Sequence, residues 1–171
     1  MRIILVMAVT ADGKIGKNSH HFPNWTSKED MRFFVEISKK HKVVIVGENT
    51  FKTFKKPLKG RLNVVFCKNK PKQKIEQEIE NVMWTSGPVK PVLKKLEKMG
   101  YKSAILGGGA YLNTLFLREK LINEMYISIN PKIFGDGLSL FNKPFEADLK
   151  LVEIKKLNKD GFVVKYKVIY N

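Results

Sequence analysis

The stretch Trp25-Thr26-Ser27-Lys28-Glu29-Asp30-Met31-Arg32-Phe33-Phe34 sets one carboxylate, Asp30, among large apolar side chains at the start of an expected helix. Burial disfavours the charged form of an acid and lifts its pKa, which suits a group that must hold or pass a proton near neutral pH. The ordinary alternative is a carboxylate that helps start the helix, answering Ser27. Thr26 and Glu29 already form a capping box, however. Asp30 instead shares a face with Phe33, Phe34 and Ile37 at helical spacing.

Other stretches carry groups suited to an anionic or planar ligand. Gly47-Glu48-Asn49-Thr50 closes an apolar run, so that a glycine permits close backbone approach just where a helix start offers unpaired N–H groups. Gly107-Gly108-Gly109 stands at a strand-to-helix junction and could admit a diphosphate against the backbone. Glycines also make plain tight turns, and this run is not the spaced dinucleotide fingerprint. Pro57-Leu58-Lys59-Gly60-Arg61 reads as a turn, and its arginine has the fork geometry that matches a carboxylate. In isolation that arginine would be read as solvated.

The elements that must position these groups follow from hydrophobic pattern. Residues Arg2 to Val9 read as a strand buried on both faces, and Thr10 to Asn24 as a long loop of the kind that forms lids or binding loops. A helix runs to about Lys40, followed by strands at Lys42 to Val46, Leu62 to Phe66 and Asn81 to Thr85. The charged segment Lys68 to Glu80 is expected to be exposed. Pro88 to Met99 is a helix with proline near its start and Gly100 beyond its end. Strand Ser103 to Leu106, helix Ala110 to Arg118 and strand Glu124 to Asn130 follow, then a loop at Pro131 to Leu140. A hairpin of Leu149 to Leu157 and Phe162 to Tyr170 turns about Asn158-Lys159-Asp160-Gly161, its last strand alternating as if one face were wet. Strands alternating with helices before a terminal hairpin predict a three-layer α/β/α fold, a mainly parallel sheet with an antiparallel edge. We expect one domain over residues 1–171, with ligands at the carboxyl ends of the strands, where Ala8, Gly47 and Gly107 to Gly109 lie.

Composition limits the classes of function. The 171 residues can bury a core without disulfides or structural metal, and Cys67 is the sole cysteine. His20, His21 and His41 do not form a spaced ligand set with it and are expected as solvated loop residues, so no metal is expected. The longest apolar runs are strand-sized, the first of them too short for a signal peptide, and cytoplasmic residence with no membrane contact is the expectation. The net charge of +16 comes from lysines scattered along the chain, with Arg2, Arg32, Arg61 and Arg118 the only arginines. Neither clustering nor aromatic interleaving marks a specific nucleic-acid binder. Such a field can still attract anionic small molecules.

Taken in order, these motifs resemble the dihydrofolate reductase superfamily over essentially the whole chain. The resemblance implies that the backbone of Ala8 meets a pterin, that Asp12 to Asn24 is a mobile loop, and that Asp30, five residues after Trp25, is the acidic group of the folate pocket. It implies a substrate wall of Trp25, Met31, Phe34, Leu58 and Ser128, with Arg61 on the α-carboxylate of the folate glutamate. Ile15, Gly16, Gly47, Asn49, Thr50, Lys68, Gly107, Gly108, Gly109 and Ala110 would hold the cofactor. The implied reaction is NADPH-dependent reduction of 7,8-dihydrofolate, with Asp30 acting through a water.

Part of the chain is similar to a sister branch, the reductase domain of bifunctional riboflavin-biosynthesis proteins. Asp12 to Ile15, Trp25 to Ser27, Gly107 to Asn113 and Asn130 to Gly135 have that character. The branch typically carries Asp-Asp-Pro-x-Leu-Thr where this chain has Lys56 to Arg61, which favours folate. Glu48 stands where folate enzymes often have an arginine for the NADPH 2′-phosphate; Lys68 could supply that charge, and NADH stays open. The alternatives are a 5-amino-6-(5-phosphoribosylamino)uracil reductase and, more distantly, a basic nucleotide-binding module without chemistry. Either enzyme would act on a small molecule, as a monomer or a homodimer.

Overall fold

A computed structural model describes residues 1–19, 21–54, 56–68 and 81–170. His20 and nearly all of the charged segment after Lys68 lie outside them. The elements run β1 (Arg2–Thr10), β2 (Lys14–Gly16), α1 (Lys28–His41), β3 (Val43–Gly47), α2 (Glu48–Lys52), β4 (Leu62–Phe66) and β5 (Val82–Thr85). They continue α3 (Val89–Lys98), β6 (Ser103–Leu106), α4 (Ala110–Arg118), β7 (Ile122–Asn130), β8 (Leu138–Ser139), β9 (Asp148–Lys156) and β10 (Phe162–Ile169).

Eight strands form one sheet in the order β5-β4-β3-β6-β1-β7-β10-β9. Pairings from β5 through β7 are parallel, and β10 joins β7 and β9 antiparallel. The central strands are apolar and β-branched because both faces are covered. Ile3, Leu5, Val43, Ile45, Val64 and Leu106 pack against α3 and α4 through Leu93, Leu96, Leu112 and Phe116. The opposite face, with Ile4, Val6, Val44, Val46, Val65 and Ile105, receives Phe33, Phe34 and Ile37 of α1 together with Phe51, Phe54 and Leu58. The result is the expected mixed α/β, three-layer fold. Among the described residues no helix is long and apolar enough to cross a membrane.

Several expectations are corrected. The long loop after β1 contains a short strand, β2, paired with β8. Capping of α1 falls to Ser27, whose Oγ accepts from the Asp30 N–H at 3.1 Å, and not to Thr26. Neither described histidine is a solvated loop residue. His21 stacks edge-on against Phe134 and accepts from the Lys17 N–H through Nδ1, while His41 ends α1 with Nδ1 2.7 Å from Ser103 Oγ. In β10, Val163 and Val164 are both buried, so the strand does not simply alternate between core and water. The strand exposed on both faces is its neighbour β9.

Candidate active site

Asp30 occupies the third position of α1, where its backbone N–H completes the Ser27 cap and frees its side chain to point elsewhere. It is only 6% exposed, and its Oδ1 accepts a hydrogen bond from Ser128 Oγ at 2.5 Å. Burial pushes the carboxyl above its ordinary range, against hydrogen bonds from Ser128, Asn130 and Thr26 that favour the ionised form. Asn130 also accepts the Ser27 N–H through Oδ1 at 3.4 Å. That bond replaces the reciprocal half of a capping box, the return contact that an acid at this position would otherwise make. Tertiary structure thus releases Asp30 from the capping role.

Ser128 connects this acid to the first strand. It lies opposite Ala8 in the β1–β7 pairing, and its Oγ is 3.5 Å from the Met7 carbonyl. Met7 in turn fits against the glycine run: a Cβ built on Gly108 would come within 2.8 Å of Met7 Sδ. Gly108 has φ +95° and its peptide bond to Gly109 is cis. Here glycine is required both by backbone angle and by space. The Gly108 carbonyl accepts from the Gly47 N–H at 2.8 Å, and the Gly107 N–H donates to Ile45 at 2.9 Å, so the two glycine motifs lie side by side. Thr50 Oγ1 would stand 3.3 Å from a Cβ on Gly109, and Phe34 Cζ 3.6 Å from one on Gly107. Asp30, Ser128, Ala8, Phe34, Gly47, Thr50 and Gly107 to Gly109 therefore meet at the carboxyl ends of β1, β3 and β6, with Ala110 opening α4 beside them.

Arg61 is 6% exposed, so it is not the solvated arginine that the turn by itself would suggest. Its Nε donates to the Lys59 carbonyl at 3.1 Å and its Nη1 to Ser38 Oγ at 2.7 Å. Among the described residues it has no carboxylate partner, and burial pulls its pKa down. Asp30, Phe34 and Ser38 form one stripe of α1, so Arg61 is anchored two turns, roughly 12 Å, along the helix from the acid. The turn that carries it is built by Asn63, which is fully buried. Asn63 Oδ1 accepts from the Leu58 N–H at 3.0 Å, and Nδ2 is within 3.1 Å of the carbonyls of Leu58, Arg61 and Asn81.

The remaining predicted residues are more dispersed. Trp25 is half-buried and packs edge-on against Phe134 at 5.2 Å between ring centres, and its Nε1 is buried without a hydrogen-bond partner among the described residues. Leu58 packs with the Phe34 cluster, whereas Met31 is 49% exposed. Ile15 packs against the opposite core cluster and Gly16 is buried in the β2–β8 pair. Asn49 and Lys68 are exposed, and Glu48 is ion-paired to Lys52 at 2.6 Å. Phe134 was not anticipated as a site element. The Asp12 carboxylate binds the Gly135 N–H at 2.8 Å and the Phe134 N–H, as well as the Thr10 hydroxyl, and thereby ties the loop after β1 to the ring over Trp25. Asn130 and Asn63 were also missed. A lone asparagine has no period to reveal it.

The family model for the RibD C-terminal domain matches residues 1–163. The chain belongs to that family. As a member, it is a reductase of the dihydrofolate reductase type. Its relatives include a Caenorhabditis elegans protein named "Putative dihydrofolate reductase", 30% identical over 170 residues that cover 91% of this chain and 80% of that one. The riboflavin biosynthesis protein RibD of Aquifex aeolicus is 26% identical, with 90% of this chain and 53% of that protein covered. Among solved structures, Acinetobacter baumannii RibD superposes with a TM-score of 0.82 at 20% identity, over 99% of this chain and 58% of that one. Enterococcus faecalis dihydrofolate reductase, complexed with NADP(H), gives 0.71 at 20% identity, over 98% and 96%. These structures establish the fold of the family member described here.

The site fits a nicotinamide dinucleotide. Gly47 presents backbone with no side chain in the way, a Cβ there meeting nothing closer than 3.8 Å, and at Gly109 the side chain nearest a Cβ is the Thr50 hydroxyl. The α4 N-terminus beside them has no side-chain cap, so its N–H groups are available to a phosphate.

Proposed function

We propose that the protein reduces 7,8-dihydrofolate to 5,6,7,8-tetrahydrofolate with NADPH, in the cytoplasm, as a step of one-carbon metabolism. The observation that carries this reading is Asp30: a buried carboxylate at a helix start, held by Ser128, with its pKa raised by burial. A carboxylate complements a cyclic amidine, since its two oxygens accept from the pterin amino group and the adjacent ring N–H together. The uracil N3–H is flanked by two carbonyl oxygens that repel the same acid, so only the N1–H and 6-amino edge of the aminopyrimidine could pair with it, and that edge carries the phosphoribosyl chain.

The cofactor, when bound, supplies the hydride for C6. Gly47, Thr50, Gly107 to Gly109 and Ala110 would hold it, with Lys68 available to its 2′-phosphate and Glu48 drawn off by Lys52. The chain's own residues orient the substrate and control the proton. Asp30 anchors the pterin, Phe34 and the Ala8 backbone wall the ring, and the proton reaches N5 through a water that the carboxyl polarises. Trp25 Nε1, a buried donor without a hydrogen-bond partner among the described residues, is available to that water. Arg61 takes the glutamate α-carboxylate with the guanidinium N–H groups not used by Ser38 and Lys59.

A second reading, 5-amino-6-(5-phosphoribosylamino)uracil reduction, is favoured by the family match and by the fact that the Arg61 guanidinium could equally take a phosphate. Following NADPH oxidation with purified protein, dihydrofolate and the aminopyrimidine phosphate being offered in turn, decides between them. Turnover with dihydrofolate is expected. Turnover of the pyrimidine alone would overturn the folate reading.

A further inference from the structure

We propose that Asn113 reads the carboxamide of the cofactor's nicotinamide ring, its side-chain oxygen accepting the carboxamide N–H and so selecting cofactors that carry that donor. Only the presence of a nicotinamide dinucleotide in the cleft is taken from the reading above; the identity of the reduced substrate plays no part.

Asn113 is the fourth residue of α4 and is fully buried. Its backbone N–H donates to the Gly109 carbonyl at 2.9 Å, and its Nδ2 donates to the Leu140 carbonyl at 3.0 Å. The second bond fixes the orientation of the amide, because turning it over would set two carbonyl oxygens against each other. Oδ1 is then left buried with no hydrogen-bond partner among the described residues. A buried acceptor left unpaired is costly and calls for a reason. Holding Leu140 is not that reason, since it uses only the other half of the amide. Packing is not either: Leu112, Phe116 and Leu117 beside it are buried and apolar, and a leucine at 113 would have similar volume, better helix propensity and no orphan. The other orphans among the described residues differ in kind. Trp25 Nε1 and Trp84 Nε1 are donors, and Glu124 Oε2 has the Lys165 ammonium 3.6 Å away.

The position of Oδ1 identifies the donor it lacks. A Cβ built on Gly108 would come 3.9 Å from Asn113 Oδ1 and 2.8 Å from Met7 Sδ. The orphan oxygen thus lies beside the middle glycine of the Gly107 to Gly109 run, against the strand whose Ala8 pairs with Ser128 and so adjoins Asp30. A hydride donor has to stand at this end of the cleft, next to the ring that Asp30 holds, whereas the phosphates belong at the α4 N-terminus. A carbonyl oxygen repels phosphate and attracts N–H. The redox ring carries one such group, its carboxamide; the ribose hydroxyls are the rival donors. Met7, unbranched and readily repacked, is the side chain that would yield to the ring.

Calorimetric titration of the ligand-free full chain tests this with NADP+ and its thionicotinamide and acetylpyridine analogues. The thioamide keeps the N–H. The acetyl group replaces the amide nitrogen with a methyl while both riboses stay. Wild type is expected to bind the acetyl analogue roughly tenfold or more weakly than the other two, as loss of a buried hydrogen bond implies. In Asn113→Leu the affinity for NADP+ should fall by a similar factor, and its ratio to that for the acetyl analogue should collapse towards one. Asn113→Asp keeps an acceptor and should keep the ratio, even where it melts lower. Thermal unfolding is the folding control, and Asn113→Ala serves in place of the leucine variant if that one does not fold. A ratio unmoved by loss of the acceptor would overturn the proposal and leave the reductase reading standing, as would a wild type that does not discriminate. Failure to bind either NADP+ or NAD+ would overturn both together.

Discussion

Ser128 reaches from β7 to α1 and donates its hydroxyl to the carboxylate of Asp30 at 2.5 Å. This bond favours the ionised acid while burial opposes it. Ser128→Ala is therefore expected to push the Asp30 pKa further up. The alkaline limb of the rate profile should move to higher pH, with a stability loss of about 1 kcal/mol for the missing bond. A pH series of kcat/KM checks this, and an unmoved limb would detach Ser128 from the acid.

Asp30→Asn should cost roughly 10²-fold or more in turnover near neutral pH, while NADPH affinity, measured by fluorescence titration, stays near wild type. The same change bears on stability, with a defined sign. A carboxyl whose folded pKa is raised binds more protons folded than unfolded, so the folded state loses stability as pH rises from the unfolded value through the folded one. The ligand-free Asn variant should accordingly melt higher than wild type at neutral pH. The gap should close as pH falls below the unfolded carboxyl pKa of about 3.9.

Arg61→Leu removes a buried cation that has no carboxylate partner among the described residues, and Ser38 keeps its bond to the Val35 carbonyl. Folding should survive. The KM for dihydrofolate is expected to rise roughly 10- to 100-fold, as loss of a charge-assisted pair implies. A folate fragment lacking glutamate should be far less affected. Equal effects on both would remove the carboxylate role.

How far the site was legible depended on whether a residue's role is local. Helix Ala110–Arg118 and strand Ser103–Leu106 were read at their observed limits because pattern and flanking glycines define them. The α1 cap was misread for a physical reason. Thr26 precedes Glu29, and Ser27 precedes Asp30, by the same three residues, so two overlapping boxes are equally good in sequence. Asn130, over a hundred residues away, selects the second by accepting the Ser27 N–H. Burial of Arg61 and the service of Asn63 to its turn are likewise long-range effects. β2 and β8 were missed because three and two residues carry no period.

Gly47 and Gly108 differ in what an added side chain would meet, and that difference tests which of them serves the ligand and which the fold. Gly108→Ala must place a methyl 2.8 Å from Met7 Sδ on a backbone with φ +95°, and should cost roughly 1–3 kcal/mol of stability. Gly47 has φ −75°, which any residue adopts, and a Cβ there meets only the Gly108 and Gly109 backbone, at 3.8 Å or more. Gly47→Ala should then unfold at nearly the wild-type temperature. If the cofactor passes against this backbone, the added methyl intrudes on it, and NADPH affinity should fall roughly tenfold or more. Retained stability with unchanged affinity would move the cofactor away from Gly47, while loss of both would show that the position serves the fold as Gly108 does.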